Sequence, residues 1–145
     1  MTMRFASALI VATLLASPVL AQDAPATAPA GLALELNALT SSETGCRVTF
    51  LATNSLGTEV TRSSFEIALF GAGGGIERLV SLEFKAMPEG KTRVLQFDIG
   101  EVGCDTLSRV LINDVVACDG EGLDPKVCFD RLTTLSRLDK VEFGV

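Results

Sequence analysis

The chain contains no His, no Trp and no Tyr. Without His, a Ser–His–Asp or Cys–His nucleophile, an imidazole metal ligand and an imidazole base near neutrality are all excluded. Positive charge is scarce as well: 12 Lys and Arg stand against 18 Asp and Glu, a formal net charge of −6. That balance argues against nucleic acid and anionic membrane surfaces, which select clustered Lys and Arg. Lys85, Lys91 and Arg93 come nearest to a basic cluster, and Glu83 and Glu89 dilute it. The serines have no His to activate them, and the lysines stand in no Ser–Lys motif.

What is present begins with an address. Arg4, an apolar stretch over 5–16, a break at Ser17-Pro18 and the closing Val19-Leu20-Ala21 predict a signal peptide over residues 1–21. The apolar stretch is short of the roughly 20 residues that cross a bilayer, so no stable membrane insertion is expected after cleavage. Residues 22–31, rich in Ala and Pro, read as a flexible leader because small residues cannot bury enough apolar area to order themselves. The remainder, 32–145, is expected to be a single folded domain of a periplasmic or secreted protein.

That remainder reads mostly as strands. Leu32, Leu34 and Leu36 alternate with polar or small residues, as do Cys46, Val48, Phe50 and Ala52. Phe65, Ile67 and Leu69 lead into Gly71-Ala72-Gly73-Gly74-Gly75, and 76–84 continues as the return arm of a hairpin. Strands are also expected over 91–99 and 107–118, with Asn113-Asp114 marking either a bulge or a turn. A short last strand over 140–145 places Val141 and Phe143 on one face. One helix stands out: Asp124-Pro125 as cap and first residue, then Val127, Cys128, Leu132 and Leu135 at helical spacing. The expected fold is mainly β, an antiparallel β-sandwich with one short C-terminal helix.

Phe50 to Asn54 before a turn, Leu69-Phe70 before a glycine loop, and Met87-Pro88-Glu89-Gly90 before a strand carrying Phe97 together resemble immunoglobulin-like modules of exported bacterial proteins, of the FxLYD type. The likeness spans roughly Leu34 to Ile99, and the Cys-rich last third has no counterpart in it. It implies an immunoglobulin-like sandwich and says more about fold than about function.

Cysteines and carboxylates supply the candidate chemistry. Cys46, Cys104, Cys118 and Cys128 form an even set without a Cys-x-x-Cys, which reads as two structural disulfides in an oxidising compartment. If 106–117 is extended, Cys104 and Cys118 lie roughly 40 Å apart, far beyond the reach of a disulfide. Cys46–Cys104 with Cys118–Cys128 is then preferred over the remaining pairing, because Asp119-Gly120-Glu121-Gly122 can fold the chain back between the latter two. The loop Asp119, Glu121, Asp124 invites a calcium reading, yet an EF-hand needs an oxygen ligand where Leu123 stands and Glu where Asp130 stands. A solvated acidic turn is the better reading. Asp98, Glu101 and Asp105 read as scattered acidic surface. Gly71 to Gly75 fails as a phosphate cradle, since Ile76 and a strand follow where a dinucleotide turn or Walker loop needs glycine or lysine and a helix.

No catalytic, cofactor or metal residue is assigned, and no cofactor is expected. The chain is read as an exported, non-catalytic binding or structural accessory module of the bacterial envelope with a protein partner. The alternatives are a small Cys- or carboxylate-dependent enzyme or redox protein, and a carrier of an apolar ligand. Contacts are expected at the first strand, the last strand or the glycine loop, because a strand edge binds extended segments without special side chains.

Overall fold

The computed structural model describes residues 30–145; the signal peptide expected over 1–21 and most of the leader expected over 22–31 lie outside the described residues. Eight strands form two four-stranded sheets that share one core. The first sheet has the order β5-β2-β1-β7, from Thr92–Gly100, Gly45–Asn54, Leu32–Ser41 and Leu132–Ser136. The second has the order β4-β3-β6-β8, from Ile76–Glu83, Arg62–Gly71, Leu107–Asp119 and Glu142–Gly144. One six-residue helix, α1 (Pro125–Asp130), and a 3-10 turn at Cys104–Thr106 complete the body.

Period-two alternation puts the expected side chains inside. Leu32, Leu34 and Leu36 from β1 and Cys46, Val48, Phe50 and Ala52 from β2 are buried against Phe65, Ile67 and Leu69 of β3 and Val110, Ile112 and Val115 of β6. Phe50 of the first sheet meets Phe143 of the second at 5.5 Å between ring centroids, and Phe84 at 5.4 Å. Phe84 in turn meets Phe65 edge-on at 4.8 Å and Phe97 at 5.1 Å, so phenylalanines bridge the two layers.

Three local expectations are corrected. The helix stops at Asp130, and Leu132 and Leu135 belong to β7. Its start is as expected, with the Asp124 carboxylate accepting from the Val127 N–H at 2.7 Å and Pro125 in the first turn. Six residues are too few to hold a helix without tertiary help, and β-branched Thr133-Thr134 pair more favourably with the free side of β1. The sheets are also not antiparallel throughout: β7 runs parallel to β1 and β8 parallel to β6. The first strand, finally, is no edge, because β1 lies between β2 and β7.

The Asn113-Asp114 interruption is a bulge. β6 runs unbroken past it, while the register against β3 slips between Glu66 and Ile67, so that Asn113 and Asp114 both face Glu66. A second slip between Ser64 and Phe65 leaves Val116 outside the ladder and exposed.

Two of the turns quoted for the family likeness, the one after Asn54 and Met87-Pro88-Glu89-Gly90, come together in space. Fully buried Asn54 donates from Nδ2 to the carbonyls of Thr58 (2.9 Å) and Met87 (2.8 Å), and its Oδ1 accepts from the Leu56 N–H. Its backbone pairs with Lys91 and Gly90, so one side chain stitches the β2 exit to the turn before β5. The start of the body is fixed similarly: Gly31 and Ser55 exchange backbone hydrogen bonds, and the Arg131 carbonyl approaches Gly31 so closely that a Cβ would have no room.

Candidate functional site

The structure joins Cys46 to Cys104 and Cys118 to Cys128, with Cα–Cα separations of 5.0 and 6.4 Å, and leaves no free cysteine. The first link ties β2 of the first sheet to the 3-10 turn; the second ties β6 of the second sheet to α1. Cys46, Cys118 and Cys128 are buried in the core. Two disulfides fit an oxidising, extracytoplasmic environment. No described helix is long and apolar enough to cross a membrane.

The carboxylates singled out in the sequence are dispersed. Asp124 caps α1, Asp119 faces Arg62 at 3.9 Å, and Glu121 is exposed on its turn. Asp98 receives two hydrogen bonds from Arg47 at 2.9 and 3.0 Å, Glu101 pairs with Arg78 at 3.0 Å, and Asp105 is exposed. Among the described residues no three His, Cys, Asp or Glu side chains converge as a metal site would need. The glycine run forms the β3–β4 hairpin loop, closed by Gly71 N–H to Gly75 carbonyl at 2.9 Å, with Gly74 in the left-handed region. Arg93 donates to the Ala86 carbonyl, and Lys85 takes a left-handed backbone where the chain leaves β4.

What the fold offers outward is two sheet faces and four strand edges. β5 and β4 are the long edges, β7 and β8 the short ones. On each long edge one Arg shares the inward parity of its apolar neighbours: Arg78 with Val80 and Leu82, Arg93 with Leu95 and Phe97. An inward charge blunts an edge against pairing with another strand.

The outer face of the first sheet carries cross-strand rows set by register. Thr92, Thr53, Ala33 and Thr133 form one row, with Thr53 and Thr92 hydroxyls 2.7 Å apart. Val94, Leu51, Glu35 and Leu135 form the next. Glu35 is largely covered, its side chain 16% exposed, and Arg137 binds it at 3.0 Å. The hydrogen bond from Asn37 leads in holding the Glu35 carboxyl below its ordinary value; burial opposes this, and the hydrogen bond and charge of Arg137 add to it. On this face each carboxylate has an internal partner: Glu35 has Arg137, and Asp98 has Arg47.

The outer face of the second sheet is arranged differently. Leu79, Ala68, Leu111 and Gly144 make an apolar row across β4, β3, β6 and β8. Beside it lie Ser81, Glu66 and Asp114. Glu66 accepts from the Asn113 amide at 2.6 Å, and Asp114 accepts from the Val115 N–H at 2.8 Å. Neither carboxylate forms an ion pair with a described residue. The register that makes these neighbours depends on the Asn113 bulge, which sequence reasoning left open; the Asn-Asp dipeptide inside an apolar run was the available signal.

No family model, curated protein or solved structure matches this chain.

Proposed function

We propose that the chain is a non-catalytic, immunoglobulin-like module of the bacterial envelope, periplasmic or secreted, that binds a protein partner through its sheet surfaces. The observation that carries this reading is where large apolar side chains stand exposed. Ile76 and Leu79 lie on edge strand β4, Val94 on β5 and Leu135 on β7, and Val116 protrudes from the β6 bulge. Exposed apolar residues scattered singly are ordinary. Here all but Val116 sit on sheet rows over a phenylalanine core tied by two disulfides, which preorganises the surface for a partner. The four cysteines are committed to those links, and the Phe-bridged interior favours a scaffold over a carrier with an internal apolar chamber. The immunoglobulin-like part of the reading draws support from the two facing sheets, the β1–β2 and β3–β4 hairpins, and the Asn54 stitch between the quoted turns.

Site-specific photo-crosslinking in the exporting cell tests it, with the reactive group placed in turn at Leu79, Val94 and Leu135, and at Glu121 as control. A discrete adduct from the sheet positions and none from Glu121 is the expected result. Equal adducts from all positions, or none from any, would overturn the reading.

A further inference from the structure

We propose that the outer face of the second sheet is the docking surface for a basic amphipathic segment of a partner protein, one carrying Lys or Arg beside branched apolar side chains. The inference rests on the binding-module reading and names the surface and the partner's chemistry. Glu66 on β3 stands directly opposite Asp114 on β6, a like-charge cross-strand pair on an exposed face. Such a pair opposes folding, and nearby cations are the ordinary remedy. The remedy is used elsewhere in this molecule: Arg47 covers Asp98, Arg137 covers Glu35, and Arg62 lies between Glu83 and Asp119. Glu66 and Asp114 have the Asn113 amide and one backbone N–H instead. A local arrangement that works against stability, among neighbours that avoid it, marks a place kept for a ligand.

The adjoining row fixes the rest of the chemistry. Leu79, 53% exposed, and Leu111 flank the small Ala68, one row from the carboxylates. Cross-strand neighbours lie about 4.8 Å apart and same-face rows about 7 Å apart along the strand. Ala68 itself is buried, 2% exposed, so a partner's apolar side chain rests on Leu79 beside half-buried Leu111, and an adjacent Lys or Arg then comes within reach of Glu66 and Asp114. A second copy of this chain is a poor occupant because both faces would bring acidic pairs together on a body of net charge −6. The leader residues 22–31 contain Asp23 and no Lys or Arg, so they do not supply the cation. Addition of a strand at β4 or β5 is disfavoured by the inward Arg78 and Arg93.

The test uses the exported protein with three peptide probes: an amphipathic Leu–Lys peptide, an all-Lys peptide of equal charge, and a Leu–Glu peptide of the same pattern. The wild type is expected to bind the Leu–Lys peptide and neither of the others comparably. E66Q/D114N should bind it about tenfold more weakly, while E43Q/E121Q, which removes the same charge elsewhere, leaves binding unchanged. L79S should weaken binding without changing its salt dependence, which separates the apolar row from the charges. Equal loss in E43Q/E121Q, equal binding of the all-Lys peptide, or no binding of the Leu–Lys peptide would each overturn the proposal. The wider reading is judged separately, because crosslinks from Val94 and Leu135 on the first sheet would sustain a binding module that docks by another face.

Discussion

The two sheets are built to nearly the same plan and finished differently. Each has one hairpin, β1–β2 at the centre of the first sheet and β3–β4 at one side of the second, a further strand paired antiparallel and a short parallel strand at one edge. Each also carries one disulfide from a central strand to a small helical element. The first sheet neutralises the carboxylates of its outer face internally, whereas the second leaves Glu66 and Asp114 uncovered beside an apolar row. The sheets therefore share an architecture and differ in how the charges of their outer faces are paired.

The most damaging way to break the comparison is to remove what the sheets share. Phe50 belongs to the first sheet but packs on Phe84 and on Phe143 of the second. Phe50→Ala should cost about 3–5 kcal/mol and lower the protection of both sheets together. Urea unfolding followed by far-ultraviolet circular dichroism gives the loss, since the chain has no Trp or Tyr to report by fluorescence. Hydrogen exchange tests the sharing: protection lost from β1 and β2 alone would mean the layers are energetically separate.

The disulfides separate the sheets next. Cys46–Cys104 spans 58 residues and Cys118–Cys128 spans 10. In the loop-entropy picture Cys46→Ser removes about 4 kcal/mol and Cys118→Ser about 3. The order of the two urea midpoints is the measurement. A reversed order would mean that the short link contributes by positioning α1 and β7, and not only by constraining the unfolded chain.

Glu35 provides a charge test confined to the first sheet. Its folded pKa lies below the ordinary value of 4.5, so the unfolded chain holds the proton more tightly than the folded one. The stability it contributes is therefore complete above pH 4.5 and is lost as the pH falls through the lower, folded value. Glu35→Gln should cost on the order of 0.5–1 kcal/mol at neutral pH and flatten that part of the acid limb. An acid limb unchanged by the substitution would remove Glu35 from the account.

Much of this was legible in the chain because burial on one face of a strand forces period two. The inward sets Leu32, Leu34, Leu36 and Phe65, Ile67, Leu69 follow from alternation alone. The disulfide pairing was legible because an extended β6 keeps Cys104 and Cys118 apart. Strand direction was not: Leu132 and Leu135 fit helical spacing, and alternation is the same whether β7 runs with β1 or against it. The candidate face was hidden for a related reason. Glu66 and Asp114 are distant in sequence, and which residues oppose each other across β3 and β6 depends on the one-residue slip at Asn113.

The smallest expected effect has the opposite sign to that of Glu35, and it sharpens the comparison most. Glu66→Gln keeps an acceptor for the Asn113 amide, and Asp114→Asn keeps one for the Val115 N–H. Each substitution removes one of two facing negative charges and leaves the hydrogen bond in place. Stability should therefore rise by a few tenths of a kcal/mol at low salt, within the roughly 0.2–1 kcal/mol typical of cross-strand pairs. The gain should shrink as salt screens the repulsion that the wild type suffers. The double variant should gain little beyond either single one, because removing either charge already ends the repulsion. Thermal midpoints of the four proteins, wild type included, complete the cycle at two salt concentrations. Loss of stability in either single variant would mean that the carboxylates are held by attractive contacts within the fold, and the second face would then be finished in the same way as the first.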